Sequence, residues 1–421
     1  MNKRLIVAVF VASLGGFVFG FDLGALSAAT QSLRSQFALS PWAFGLTISA
    51  SIWGTVGGAI FAGRFADKSD RRSLIAWCAL LYAVAAIGIA MPVSAKWLLV
   101  LAMRLLCGVA IGGFTVGCPL YLSEVAPISL RGRVVGVFQI QVGAGVIAAF
   151  SAGAVCAHLA PPGAAWKWIL SLGAVPAGLL LILGRSLPHA DAALFPGDDR
   201  STPLPTTGRP DQRFFARRNA RLILLAASIA VFNQLSGVNV LLLYMLEILA
   251  SAGVNFSLGH TYTVLISGLS LATTMLGMAF VDRLGRKPLL YFGSVGMAVC
   301  LLTLGLAIPH RSDPVLYLSI LVAYNAFFAF SQGTVVWVYL SELFPPGLRG
   351  SGQGFGSTVH WIANAILISV FPSVQHASSV KIFYLFASMM VLQIAVIWLW
   401  YPETKGTALG SFAATEESGL H

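Results

Sequence analysis

Apolar residues fill twelve stretches of helical length, at about 5–27, 43–65, 73–92, 97–119, 133–157, 166–186, 221–250, 261–281, 288–308, 314–340, 353–372 and 380–400. A stretch of about 20 such residues crosses roughly 30 Å of hydrocarbon as an α-helix. Polar residues are confined to short breaks, except at 187–219 and 402–421. The first of these holds Pro188, Pro196, Pro203, Pro205 and Pro210, several glycines and mixed charge, which is linker composition. The pattern predicts an all-α membrane protein of twelve transmembrane helices. A six-helix half at 1–186 and a second at 220–401 are joined by the linker 187–219 and followed by a polar tail at 402–421.

The two halves repeat one another. Ser123-Glu124-x-x-Pro127-x-x-x-Arg131-Gly132 returns as Ser341-Glu342-x-x-Pro345-x-x-x-Arg349-Gly350, displaced by 218 positions. Asp67-Lys68-x-x-Arg71-Arg72 returns as Asp282-Arg283-x-x-Arg286-Lys287, displaced by 215. A two-fold repeat in so apolar a chain points to a secondary transporter with its substrate at the midplane between the halves.

Composition agrees. Hydrophobic residues are 57% of the chain and charged residues 10%, with mean hydropathy +0.83, against about 25% charged in a soluble domain. The net charge of +11 would suit nucleic acid, but the charges are sorted by membrane side. With the N-terminus inside, the outer loops carry only Arg34, Lys96, Lys167, Arg311 and Lys381, which is the positive-inside pattern and puts both termini in the cytoplasm. No soluble basic face is left for nucleic acid. Met1-Asn2-Lys3-Arg4 and the run after it resemble a signal peptide, yet Asp22 and the eleven later spans favour a retained first helix. Cys78, Cys107, Cys118, Cys156 and Cys300 all fall in spans without metal or redox spacing, as packing residues.

Three ionisable residues fall within spans: Asp22, Arg104 and Glu247. A charge at the bilayer centre costs roughly 2.5–3.5 kcal/mol, so such residues face the bundle interior and find partners. Asp22 and Arg104 lie at comparable depth in the first half. Burial favours a protonated carboxyl and an adjacent Arg favours the charged one. A pair that separates during a cycle would therefore let Asp22 take up a proton, with Arg104 as its conformational partner. The alternative is a permanent structural pair. Glu247, nearer the outer end of its span, reads as interfacial. In the loops, Asp67, Arg71, Arg72, Glu124 and Arg131 of one half match Asp282, Arg283, Arg286, Glu342 and Arg349 of the other. They suit either an inter-helix latch that breaks as the halves rock or simple orientation in the membrane.

The motifs also resemble a family. Gly63-Arg64-Phe65-Ala66-Asp67-Lys68-Ser69-Asp70-Arg71-Arg72 resembles the loop after the second helix of the major facilitator superfamily. Phe19-Gly20-Phe21-Asp22, both SE…P…RG motifs, Gln234-Leu235-Ser236-Gly237-Val238-Asn239 and Pro402-Glu403-Thr404-Lys405-Gly406 resemble its sugar-porter branch. The resemblance spans the chain and implies the major facilitator fold, alternating access and a sugar or polyol substrate. Proton-coupled sugar porters have Asp and Arg where Asp22 and Arg104 stand; facilitative glucose transporters have Asn in place of that Asp. It places Gln139, Gln234, Asn239 and Trp337 at sugar-contact positions, with Asn233, His360, Trp361 and Asn364 beside them.

The departures blur the substrate. Asn233 replaces a Gln, Ser270 an Asn, Val146 a second Gln and His360 an amide. Thr334 and Val336 replace prolines or small residues near Trp337, which predicts a weaker bend there. Asp70 stands where the family has Gly, and Asp can adopt the left-handed turn that Gly would supply. Leu187-Pro188-His189-Ala190-Asp191 replaces the family's PESPRWL, which predicts a truncated cytoplasmic domain. A hexose is the first choice, then a pentose or polyol. His360 reads as a neutral hydrogen-bonding residue, with titration as the alternative. No P-loop, metal-ligand spacing or nucleophile–base pair is present, so neither an enzyme nor an ATP-driven pump is expected. The expected partners are a small solute and the bilayer of the cell membrane, with no cofactor or metal beyond the coupling proton and a monomer as the working unit. A proton symporter is the main reading. A facilitative uniporter, a carrier of another small solute and a non-transporting sugar sensor follow in that order.

Overall fold

The computed structural model describes residues 3–66, 70–91, 96–125, 131–161, 163–188, 214–245, 248–249, 256–307, 314–344, 348–377 and 380–405. Asp67, Lys68, Glu247, most of the linker and the tail beyond Lys405 lie outside them. The side chains of Glu124, Arg131, Asp282, Glu342 and Arg349 are likewise outside the described part. Among the described residues twelve spans are long and apolar enough to cross a membrane. In chain order they are α1 (Lys3–Phe37), α2 (Pro41–Ala66), α3 (Arg71–Ala90), α4 (Trp97–Val125), α5 (Arg131–Leu159), α6 (Ala165–Ser171 and Ala174–Leu183), α7 (Ala220–Leu235 and Val238–Leu243), α8 (Phe256–Leu284), α9 (Arg286–Ala307), α10 (Pro314–Phe330 and Gln332–Leu343), α11 (Arg349–Ala377) and α12 (Lys381–Trp400).

Helix α1 runs ten residues beyond the stretch that hydropathy marks. Gln31, Arg34, Ser35 and Gln36 are exposed, while Ala29 and Leu33 remain buried. The helix ends only where Ala38 turns to φ 46° ahead of Ser40 and Pro41. Apolarity records contact with lipid, whereas the hydrogen-bonded ladder continues until a breaker stops it.

Within the first half α1 packs on α5 and α2 on α4; within the second α8 packs on α10, α9 on α12 and α7 on α11. Between halves, α2 meets α11 and α5 meets α8. These two seams are equivalents under the repeat, since α2 corresponds to α8 and α5 to α11. They differ in chemistry. Ser369 on α11 accepts from Trp53 Nε1 at 3.1 Å and donates to Ser49 at 2.7 Å, both on α2. The α5–α8 seam sets Leu271 and Met278 against Gly143 and Gly136. On the α2–α4 seam, Cβ atoms at Gly54, Gly58, Gly108 or Gly112 would strike the facing backbone, so these glycines let the two helices touch.

Two helix breaks shape the second half. Gly237 takes φ 87° and interrupts α7, with the Ser236 hydroxyl donating to the Asn233 carbonyl at 2.6 Å. Helix α10 breaks at Ser331 without a proline. The hydroxyls of Ser331 and Thr334 donate to the carbonyls of Phe327 and Ala329 at 2.6 and 2.9 Å. The bend therefore survives the loss of proline, because hydroxyls take up carbonyls that the break releases.

The repeated loops close their corners differently. The Tyr121 hydroxyl donates to the Pro188 carbonyl at 2.9 Å, and Tyr339 does the same to Pro402 at 3.0 Å. In the second half the next residue, Glu403, accepts from the backbone N–H of Arg286 and Lys287, both at 2.9 Å. It thus caps α9 from the end of α12. Gly285, at φ 97°, makes room: a Cβ there would lie 2.7 Å from the carboxylate. In the first half the residue after Pro188 is His189, and Asp70 stands where Gly285 does. Asp70 is not left-handed. At φ −59° and ψ 129° it is the N-cap of α3, accepting from the Arg72 N–H at 3.1 Å and pairing with the Arg72 side chain at 2.7 Å. Here the capping carboxylate comes from the loop itself.

These caps should respond differently to amide substitution. Asn caps as well as Asp, and the exposed Arg72 pair it would lose is worth about 0–1 kcal/mol, so Asp70→Asn should lower the melting temperature in detergent only slightly. Gln offers one acceptor oxygen where Glu403 uses two, so Glu403→Gln should cost about 1–3 kcal/mol. Equal melting shifts in thermal unfolding would contradict this assignment.

Candidate functional site

The site has a charged part in the first half and a neutral part in the second. Asp22 on α1 and Arg104 on α4 are 2% and 1% exposed. Their pairing is bidentate, Nη1 to Oδ1 at 2.6 Å and Nη2 to Oδ2 at 2.9 Å. Such fork geometry is the strongest that Arg and carboxylate make. Tyr82 on α3 donates to the same Oδ1 at 2.9 Å, and Arg104 Nη2 also donates to the Ser51 hydroxyl on α2 at 2.6 Å. Four helices converge on one ion pair. Arg104 Nε is buried with no hydrogen-bond acceptor among the described residues.

The neutral part is a row of amides. Gln234 precedes the α7 break and Asn239 follows it. On a continuous helix, five residues would separate them by about 140°. The left-handed Gly237 instead lets Asn239 Nδ2 donate to Gln234 Oε1 at 3.0 Å. Gln234 Nε2 donates to Asn233 Oδ1 at 3.0 Å and faces the His360 ring, 2.8 Å from its Nε2 and 3.2 Å from its Nδ1. A ring nitrogen that accepts from this amide carries no proton, so His360 is read as a neutral imidazole. Trp337 stacks obliquely on His360 at 4.9 Å, and His360 meets Trp361 edge-on at 5.1 Å. Trp361 in turn contacts Phe19 of α1 at 5.5 Å, one turn before Asp22. Thus the two parts are linked by an aromatic contact across the halves.

Trp361 Nε1 and both polar atoms of Asn364 are buried without a hydrogen-bond partner among the described residues. Each such atom costs about 1–3 kcal/mol. A polyhydroxylated solute offers both donors and acceptors to them.

The structure therefore brings together Asn233, Gln234, Asn239, Trp337, His360 and Trp361. Gln139 on α5 is half-buried and makes no hydrogen bond to a described residue. Among the loop charges, Arg72 also donates to the Leu187 carbonyl at 2.9 Å, and Arg286, 7% exposed, donates to the Val281 carbonyl at 3.3 Å. Arg71 is half-buried and Arg283 exposed, its carbonyl accepting from Lys405 Nζ at 2.6 Å. The carboxylates met in these corners, Asp70 and Glu403, are not among the loop acids that the repeat singles out. Sequence reading also passes over Tyr82, Ser51, Gln332 and Gln393. The last two carry a usable signal, since an amide inside an apolar span needs a partner just as Gln234 does.

Comparison with known proteins agrees with this architecture. The chain is 29% identical to the D-xylose transporter of Levilactobacillus brevis, over 96% of this chain and 94% of the relative. It is 28% identical to the glucose transporter GlcP of Staphylococcus epidermidis, over 97% and 96%, and 26% identical to the major myo-inositol transporter IolT of Bacillus subtilis, over 100% and 98%. A solved D-xylose–proton symporter superposes with TM-score 0.84 at 25% identity, covering 97% of this chain and all of the other. A partially occluded inward-open form of XylE from E. coli superposes with TM-score 0.83 at 24% identity, covering 97% and 100%. With residues 8–191 and 207–414 both matched by the family described as sugar (and other) transporter, the chain belongs to that family, as a multi-pass membrane carrier of the major facilitator fold and not an enzyme.

Proposed function

We propose that the protein moves a small neutral sugar or polyol together with a proton, Asp22 carrying the proton and Arg104 answering its charge. The observation behind this reading is the buried bidentate pair at 2.6 and 2.9 Å. While ionised, Asp22 holds Arg104 and ties α1 to α4. Protonation removes one charge and weakens the fork. Arg104 keeps the Ser51 hydroxyl on α2, so the guanidinium is not stranded when the carboxyl lets go. The two helices are then free to shift relative to each other. Phe19 against Trp361 passes such a shift to the amide row.

Alternating access is supported by where the halves meet. Away from the charged loops, Ser27 donates to the Leu242 carbonyl at 2.9 Å, and Phe44 meets Tyr244, itself packed on Phe371. With α2–α11 bonded through Ser369, the halves are fastened to each other at this end. The loop charges repeated in the two halves, Asp67, Arg71, Arg72, Glu124 and Arg131 with Asp282, Arg283, Arg286, Glu342 and Arg349, would act at the opposite end as the latch. A neutral substrate is favoured because the second half presents amides, a neutral imidazole and indoles. The relatives named for xylose, glucose and myo-inositol carry polyhydroxylated solutes of this kind. One proton descending about 150 mV supplies about 3.4 kcal/mol, enough for about 300-fold accumulation.

Uptake of labelled glucose, xylose and a polyol into proteoliposomes, with and without an inward proton gradient, tests the proposal. Asp22→Asn should abolish uphill uptake and retain downhill exchange. Gradient-independent uptake in both proteins would identify a uniporter with a structural ion pair. Tyr82→Phe removes a charge-assisted bond of about 1.5–3 kcal/mol. It should cut uphill accumulation about tenfold while exchange is largely kept; an unchanged accumulation ratio would remove Tyr82 from the coupling site.

A further inference from the structure

The amide row does not stop at the site. Asn233 Nδ2 donates to Gln332 Oε1 at 3.4 Å, and Gln332 Nε2 donates to Gln393 Oε1 at 2.7 Å. Gln332 sits just past the α10 break, and Gln393 lies in the middle of α12; both are fully buried. Met390 Sδ lies 3.6 Å from Gln332 Nε2, and the Ser294 hydroxyl of α9 lies 3.2 Å from Gln393 Oε1 while also donating to the Leu290 carbonyl at 2.8 Å. Five amides from Asn239 to Gln393 thus donate in one direction across three helices.

An amide turned end for end offers a donor where it offered an acceptor. In a row such as this, turning one member sets donor against donor on one side and acceptor against acceptor on the other. The members therefore keep a common polarity. The row's two ends differ accordingly. At Asn239, which is partly exposed, the carbonyl oxygen makes no hydrogen bond to a described residue and is offered as an acceptor. At Gln393 the Nε2 donor is buried without a partner among the described residues.

We propose that Gln332 and Gln393 are positioning residues for the substrate site: through the row they hold the Asn239 end as an acceptor, which demands a donating hydroxyl on the sugar. Neither residue touches the substrate. This rests on the sugar-carrier reading above. The consequence is selectivity by hydrogen-bond direction, set from α12. A sugar hydroxyl both donates and accepts, whereas a fluorine in its place cannot donate. The polarity of the row therefore decides which substituent the site rejects.

The test is competition by monodeoxyfluoro sugars against labelled parent sugar in proteoliposomes of the full-length protein. In the wild type, fluorination at one position should weaken competition tenfold or more. Gln393→Met conserves volume and removes the far end of the row, so the row can reverse; the penalty at that position should fall below threefold. Gln393→Glu keeps an acceptor toward Gln332 and should retain the penalty. Loss of the penalty in both variants would assign the effect to packing and overturn the proposal, as would a penalty unchanged in Gln393→Met. Should Gln393→Met fail to fold, Gln332→Met interrupts the row one step nearer the site and carries the same expectation. A wild type that transports and binds no sugar or polyol overturns the carrier reading itself, an outcome distinct from a sugar carrier whose fluorine penalties ignore Gln393.

Discussion

A guanidinium and a carboxylate facing each other with almost no exposure to solvent are the costliest groups in this bundle, and the first half is organised around keeping them together. Neither is tolerable alone in hydrocarbon. Their pairing demands that α1 and α4 approach, that α3 bring a tyrosine hydroxyl, and that α2 bring a serine. The glycines of the α2–α4 seam allow that approach at the depth where Ser51 must reach Arg104. On the proposed reading the same constraint also serves transport, since a pair held together by the carboxylate's charge would be a proton-dependent fastening between helices.

The second half meets the cost of buried polarity in another way. It contains no described ion pair within its spans, and its polar groups are amides, hydroxyls, indoles and one neutral imidazole. Neutral groups can be rearranged at lower cost than charges, which suits a surface that must bind and release a solute. Among the described residues the paired intramembrane charges stand in the first half and the row of amides and indoles in the second. Phe19 and Trp361 meet where the two approach.

Much of this was legible in the sequence, for particular reasons. Charge is so rare within the apolar runs that Asp22 and Arg104 announce themselves, and the repeated loop motifs reveal the duplication. Tyr82 does not announce itself, because a tyrosine in a span is as readily a packing residue. The break in α10 is hidden since hydroxyls do what proline would do, and no single residue type marks such a site. Asp70 is misread when treated as a substitute for glycine's dihedral angles; its side chain, not its backbone, is what the helix needs. The end of α1 is missed because hydropathy reports the surroundings of a helix and not its ladder. Gln332 and Gln393 could have been found by the reasoning applied to Gln234.

The two loop corners also bear on how the chain can be handled and how it has diverged. The corner at α9 borrows its carboxylate from the residue after α12, so everything through Lys405 belongs to the folded body, and a fusion or truncation placed earlier would expose a helix end. The corner at α3 takes its cap from its own loop, through Asp70. The two repeats therefore cap equivalent helices in different ways, one through a residue beyond the last span and one from within the loop. A tag or cut at the end of α12 thus reaches α9, whereas the cap of α3 travels with its own helix.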